Sequence, residues 1–249
     1  MRDKLKDKNY FRKRINELYS GIDNFLNWIN IGKTPKERIN IVKRAIVWDY
    51  ISIISCKYSA GFDNHELKAD LLSAINFTFE SWDGFWKLKN STGQEFSQYV
   101  LSAYDEMLWM LSLSYLLEIP ESEFNKLVQV IDRDGVKDFL YEFIIQGKIK
   151  SRTLTHEESY QDFTIPEIFE KLRFAIKEND KILAEDLVKI FIKEDWYKGH
   201  RDTGWYNGHK SQHDSYCGYW SYETAAIVKI IGLNDTNFRD CNYYPKDLL

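Results

Sequence analysis

A chain of 249 residues with 44% hydrophobic and 29% charged side chains has room for one large buried core or two smaller ones. Four prolines and twelve glycines are too few for an all-β fold, which needs turn residues every ~8–12 positions. The net charge of −4 is uneven: residues 1–50 carry 12 Lys/Arg against 6 Asp/Glu, and the remainder carries 22 against 32. An acidic body of this kind argues against direct binding of nucleic acid, whose phosphates dominate affinity, and favours a basic protein partner.

In chain order, the opening residues Met1 to Lys8 alternate charges and lack the apolar stretch of a secretory leader. Asn9 to Asn30 places Phe11, Ile15, Leu18, Ile22, Phe25, Leu26 and Ile29 at intervals of three and four, which predicts an amphipathic helix. Arg12, Lys13 and Arg14 read as its solvated face. Thr34-Pro35-Lys36-Glu37 predicts a capping box that starts a second helix, buried on most sides and stopped at Gly61. A third helix is expected from near Asn64 to Phe79, and a fourth from about Gln94 to Leu117. The run Met107 to Leu117 is 11 residues long, whereas a membrane helix needs ~20.

The proline of Glu118-Ile119-Pro120 marks an expected boundary between residues 1–119 and 120–249, because the residue before proline resists the helical conformation. Helices are then expected near Glu121–Ile131 and Val136–Ile145, with loop from Gln146 to Phe163. A second capping box at Thr164-Ile165-Pro166-Glu167 opens another helix. Lys181–Lys193 carries Ile182, Leu183, Leu187, Val188 and Ile190 as one apolar stripe. The segment from Glu194 to Tyr219 reads as irregular. A last helix is expected from Ser221 to Gly232, with Glu223 favourable in its first turn. The fold class is therefore all-α, a two-part helical bundle with at most a short β-hairpin. Tyr50, Tyr104 and Trp220 are expected to be mostly buried.

The segment from Trp196 to Tyr222 is the richest in chemistry. It holds Trp196, Tyr197, Trp205, Tyr206, Tyr216, Tyr219, Trp220 and Tyr222, rings that either wedge loops onto a core or anchor a partner. His200, His209, His213 and Cys217 offer metal-ligand atoms, the last three at four-residue intervals, and so keep a metal-dependent hydrolase open as an alternative. Gly204, Gly208 and Gly218 oppose a continuous helix there, so no metal is assigned. Gly32-Lys33-Thr34 lacks the rest of a phosphate loop, and Asp132-Arg133-Asp134-Gly135 lacks the closing glutamate of a calcium loop. With no serine elbow and no activated cysteine, neither catalytic residues nor a cofactor are assigned. Cys56, Cys217 and Cys241 are odd in number and show no framework spacing, which suits a reducing cytoplasm.

One set of motifs is specific. Trp196-Tyr197-Lys198-Gly199, Trp205-Tyr206, Gly218-Tyr219-Trp220-Ser221-Tyr222-Glu223-Thr224-Ala225-Ala226 and Tyr243-Tyr244-Pro245 resemble the PoNi family of immunity proteins. The resemblance is strongest over 194–248, moderate over 121–193, and rests on helical pattern alone in the N-terminal part. It implies a two-domain helical protein, with 120–249 as the immunity domain that carries the motif. It further implies a cytoplasmic, non-enzymatic partner of a PoNe toxin, a PD-(D/E)xK-type DNase delivered by a contact-dependent route such as type VI secretion. By the same resemblance Trp196, Gly218, Tyr219, Trp220, Ser221, Glu223, Ala225, Ala226 and Pro245 are architectural, and Cys217 is a packed thiol. Toxin contact is expected from the acidic and aromatic loop residues Glu157, Glu158, Asp162, Asp202, Trp205 and Asp214. A helical adaptor without a toxin is the other open reading.

Overall fold

Helix α1 (Lys8–Asn30) starts where the Asp7 carboxylate accepts from the Tyr10 amide at 2.8 Å, and it buries Phe11, Ile15, Leu18 and Ile22 along one stripe. The computed structural model describes residues 1–153 and 165–249, which fall into two compact units. The first comprises 1–86, 122–134 and 207–219; the second comprises 87–121, 135–206 and 220–249. Neither is continuous in sequence. The architecture is mainly helical, with one two-stranded antiparallel hairpin among the described residues.

In the first unit, α1 packs on α2 (Ile39–Ala60), and α2 packs on α3 (Asn64–Ser81). The expected capping box at Thr34 is not how α2 begins. A tight turn over Lys36–Arg38 follows Pro35 with no side-chain cap, and the α-helix opens only at Ile39. The stop at Gly61 is as expected: its φ is 86°, in the left-handed region, and an added Cβ would lie 2.8 Å from the Met1 nitrogen. The buried Asp70 carboxylate ties the three helices together. It accepts from Lys57 Nζ of α2 and from the Tyr19 hydroxyl of α1, each at 2.6 Å. Helix α5 (Glu121–Asp134) belongs to this unit apart from its first residue. Arg133 donates to the Trp82 carbonyl, and Lys126 Nζ reaches Asn76 at 2.6 Å.

The second unit opens with the hairpin of β1 (Lys87–Lys89) and β2 (Glu95–Tyr99). A helix was expected from Gln94, and β2 occupies its first turn instead. Asn90 explains the difference: its side-chain oxygen accepts from the amides of Thr92 and Gln94, folding the chain back so that Glu95 pairs with Lys87 and Lys89. Helix α4 (Leu101–Leu116) follows, apolar nearly all round, and packs on α6 (Phe139–Lys148) and α11 (Tyr222–Ile231). Its place is thus with the later helices of the chain, because those supply the apolar faces that cover it. Asp138 caps α6 by accepting from the amides of Leu140 and Tyr141, and it also accepts from the buried Tyr104 hydroxyl at 3.0 Å.

After the short α7 (Ile165–Ile168) come α8 (Glu170–Lys177) and α9 (Lys181–Ile190), the latter capped by Asp180. Thr164, the expected cap of the preceding element, lies outside the described residues. Helical geometry continues past the expected end through a π-turn over Phe191–Asp195 into α10 (Trp196–Gly199). The apolar stripe of α9 does not form one inward face. Val188 and Ala184 are buried, while Ile182, Leu183 and Ile190 face solvent. Tyr104 is buried as expected, but Tyr50 and Trp220 are only partly covered. No described helix is long and apolar enough to cross a membrane.

Candidate partner-binding site

The motif residues of the second unit meet through stacked rings. Trp196 stacks on Trp205 with ring centres 5.5 Å apart, and Tyr197 stacks on Tyr243 at 5.0 Å and lies 4.5 Å from Tyr206. Trp205 also meets Trp109 of α4 at 6.0 Å. Tyr243 adopts a left-handed backbone (φ 72°), and its carbonyl accepts from the Ser221 amide at 2.8 Å, which pins the tail to the start of α11. Pro245 beside it is buried. Trp196 is enclosed, whereas Trp205 and Tyr206 keep part of their surface in water. Trp205 is therefore both a packing residue and an accessible edge.

Glu223 is the polar centre of this cluster, not a solvated first-turn acid. Its Oε1 accepts from the Trp196 indole and from the Ser221 hydroxyl, each at 2.6 Å. Since the Ser221 proton is committed to Glu223, Thr224 donates to Ser221 across 2.6 Å. Ser221 thus links side chains and caps no helix amide. Burial pushes the Glu223 carboxyl up to about 7, against the bond from Ser221 that favours its charged form. Ala225 and Ala226 are fully buried one turn further on, where larger side chains would not fit the packed core.

His200 belongs to the same core. Its Nδ1 lies 2.6 Å from the Trp196 carbonyl and therefore carries a proton, and its Nε2 faces Asp105 Oδ1 of α4 at 3.4 Å. Burial disfavours the imidazolium, but the Asp105 carboxylate, the bond to Trp196 and the nearby Glu223 outweigh it and raise the His200 pKa above its ordinary value. Asp105 was not singled out from the sequence. An acid inside the otherwise apolar α4 was the available signal, since a buried charge needs a partner.

In the first unit, residues 207–219 lie against α1 and α2. The Tyr10 hydroxyl donates to the Tyr216 carbonyl at 3.0 Å and accepts from the Tyr216 amide at 3.1 Å, and Ser59 Oγ donates to the Cys217 carbonyl at 3.0 Å. Gly218 has φ 112°, a conformation that side chains rarely adopt, which accounts for the glycine of the motif. Tyr219 is buried, with its hydroxyl 2.8 Å from His209 Nδ1. The half-buried Cys217 interacts with the buried Cys56. Burial and Cys217 hold the Cys56 thiol up, while the bond from Cys56 and the Arg14 guanidinium draw Cys217 down. Arg14 accordingly turns inward and is not part of a solvated basic face.

The four-residue interval of His209, His213 and Cys217 is not a helical face, because a single tight turn over Gly208–Lys210 gives way to extended chain. His200, His209 and His213 do not converge. Among the described residues the group with metal-like convergence is Asp63, His65 and Glu66, at the exposed start of α3, where Glu66 already accepts from the Asp63 amide at 3.0 Å. Of the two described acids expected to meet a partner, Asp202 is the more available: its side chain is 84% exposed, with Arg201 at 3.7 Å. Asp214 is about half exposed and its charge is already met by Lys13 at 3.1 Å. Glu157, Glu158 and Asp162 lie outside the described residues.

Comparison with known families decides what this arrangement belongs to. Residues 136–248 match the family described as PoNe immunity proteins (PoNi), C-terminal, and residues 2–129 match PoNe immunity protein (PoNi), N-terminal. The chain belongs to the PoNe immunity protein family. No curated protein and no solved structure matches it. The PoNi match extends over the first unit's helices as well as the motif, where the sequence offered only a helical pattern. The recognisable PoNi motif is spread over the two units: Gly218 and Tyr219 belong to the first, and Trp220 to Ala226 to the second.

Proposed function

We propose that this protein neutralises a DNase toxin of the PoNe type, with a PD-(D/E)xK nuclease domain, by binding it and keeping DNA out of its cleft. The observation that carries the reading is the family match over both halves of the chain. The chemistry is consistent with it. A nuclease must present a basic surface to DNA, and the acidic balance of residues 51–249 offers a complementary one. Asp202 is exposed beside the accessible edge of Trp205, so one short loop carries a charge and an aromatic anchor. Asp214 is the weaker candidate, since contact with a basic partner has to compete with Lys13. The action is stoichiometric binding in the cytoplasm, and no catalytic step is assigned to the chain.

The test is a DNase-protection assay with the cognate PoNe-type nuclease. The protein is expected to abolish cleavage at equimolar ratio. Asp202→Lys is expected to weaken protection about tenfold, and Asp214→Lys less, because its charge is largely paired already. A complex that forms and still cuts DNA excludes occlusion of the cleft, and absence of any complex removes the immunity reading itself.

A further inference from the structure

Helix α2 is buried on most sides, and one stripe of it is polar. At about 100° per residue, Asp49, Ser52, Cys56 and Ser59 fall within an arc of about 80°. Ser52, Cys56 and Ser59 are buried. The Ser59 hydroxyl donates to the Cys217 carbonyl at 3.0 Å, which brings residue 217 over the turn of α2 that holds Cys56. Tyr10 and Arg14, one turn apart on α1, reach the same segment. Tyr10 holds the amide and the carbonyl of Tyr216, and the Arg14 guanidinium hydrogen-bonds the Cys217 sulfur while also meeting Glu17 at 3.5 Å. All of these residues belong to the first unit.

The Cys217 sulfur is thus the acceptor for three donors from two helices: the Cys56 thiol, the Ser52 hydroxyl and the Arg14 guanidinium. A thiol that only fills space needs none of them, since it packs as a small hydrophobe. Donors and a cation gathered on one sulfur favour its anion, and the thiolate is the nucleophilic form. The bond from Cys56, with the charge and bond of Arg14 and the bond from Ser52, accordingly holds the Cys217 thiol below its ordinary range against burial. Burial holds the Cys56 thiol above its own. The pair is therefore unequal, one sulfur poised to attack and the other a protonated thiol in hydrogen-bonding reach of it. Cys217 is half-buried, so a small reagent reaches it, whereas Cys56 is fully buried behind it. Both are free thiols.

We propose that Cys217 is a peroxide-reactive thiol and Cys56 its resolving partner, so that a hydroperoxide closes a reversible disulfide between α2 and the 207–219 segment. The Cys217 thiolate attacks a peroxide oxygen. An S–O bond forms, the O–O bond breaks, and the departing oxyanion takes a proton from water, leaving a sulfenic acid. Cys56 then attacks that sulfur. An S–S bond forms, the S–O bond breaks, and the hydroxide leaves as water with the Cys56 proton. The two sulfurs lose two electrons and the hydroperoxide gains them.

The experiment treats the full-length protein with hydrogen peroxide near neutral pH, with and without dimedone, and maps the products by peptide mass spectrometry. Wild type is expected to give a Cys56–Cys217 linked peptide that dithiothreitol removes, while Cys241, whose thiol burial raises, stays reduced. In Cys56→Ser, whose hydroxyl still donates, dimedone is expected to label Cys217. Cys217→Ser is expected to give no link and no label on Cys56. Arg14→Gln is expected to slow formation of the link about tenfold, with wild-type helicity. Should Arg14→Gln lose helicity, the two serine variants decide. A Cys217 that stays reduced, or is oxidised no faster than Cys241, overturns the proposal. So does dimedone on Cys56 in Cys217→Ser, and so does a wild-type Cys217 that passes to sulfinic acid without linking to Cys56.

Discussion

Glu223 shows how one residue of a recognisable motif is used. In the sequence it is an acid two positions into a helix, where the dipole favours negative charge. In the fold it is enclosed, and its value lies in accepting from Trp196 and Ser221. Replacing it with alanine leaves both donors buried without a partner, at roughly 1–3 kcal/mol each. Glu223→Ala is therefore expected to lower unfolding stability by about 3 kcal/mol, read from urea titration at pH 6. The same site predicts a pH dependence. The Glu223 carboxyl rises from 4.5 to about 7 on folding, chiefly through burial, so the folded state holds a proton that the unfolded chain releases. That contribution is complete below 4.5 and is lost as pH rises through about 7. His200, also raised on folding from 6.5, acts in the same direction: its contribution is complete below 6.5 and is lost at higher pH. The urea midpoint is expected to fall between about pH 5 and pH 8, and Glu223→Gln to flatten the lower part of that fall. A midpoint that rises over this range contradicts the assigned protonation.

At the scale of elements, the first unit is organised by a single carboxylate. Asp70 on α3 receives a lysine from α2 and a tyrosine from α1, so three helices share one polar contact beneath their apolar faces. Burial disfavours the Lys57 ammonium, but its bonds to Asp70 and Tyr19 more than compensate and hold it charged. Removing the acid alone strands that cation in the interior. Asp70→Ala is expected to cost about 3 kcal/mol, whereas the double variant Asp70→Ala with Lys57→Met recovers most of it. Thermal unfolding of the four proteins of that cycle measures the coupling, and additive losses exclude a buried ion pair. The hairpin makes a related point for β structure. Glu95–Tyr99 begins a stretch that reads as helix, yet the Asn90 turn joins it to Lys87–Lys89, and helix begins only after Val100.

For the whole molecule, the relevant quantity is the uneven distribution of charge. Residues 51–249 carry ten more acids than bases, which attracts a basic partner over distances near the ~10 Å screening length at 0.1 M salt. If the protein binds a nuclease, its association rate is expected to fall about tenfold or more between ~20 and ~500 mM salt. The dissociation rate, which reports on contacts already formed, is expected to change little. Stopped-flow mixing across ionic strength separates the two, and an association rate indifferent to salt excludes electrostatic steering.

Much of this was legible in the sequence for a simple reason: spacing and end signals are local. The three-and-four periodicity of α1, the stop at Gly61 and the motif from Trp196 to Tyr244 are all properties of short windows. Periodicity says which side chains share a face, but not whether another element lies against it. Only packing decided that Ala184 and Val188 of α9 point inward while Ile182 and Leu183 meet water. Only packing set Asp105 of α4 opposite His200, almost a hundred positions away, and made Glu223 an interior acceptor. The same holds for charge: Asp202 and Asp214 look alike as loop acids, and Lys13, two hundred positions earlier, neutralises one and leaves the other. Composition determined the helical class and the acidic balance, and contacts distant in sequence decided which of those residues are buried, paired or left in solvent.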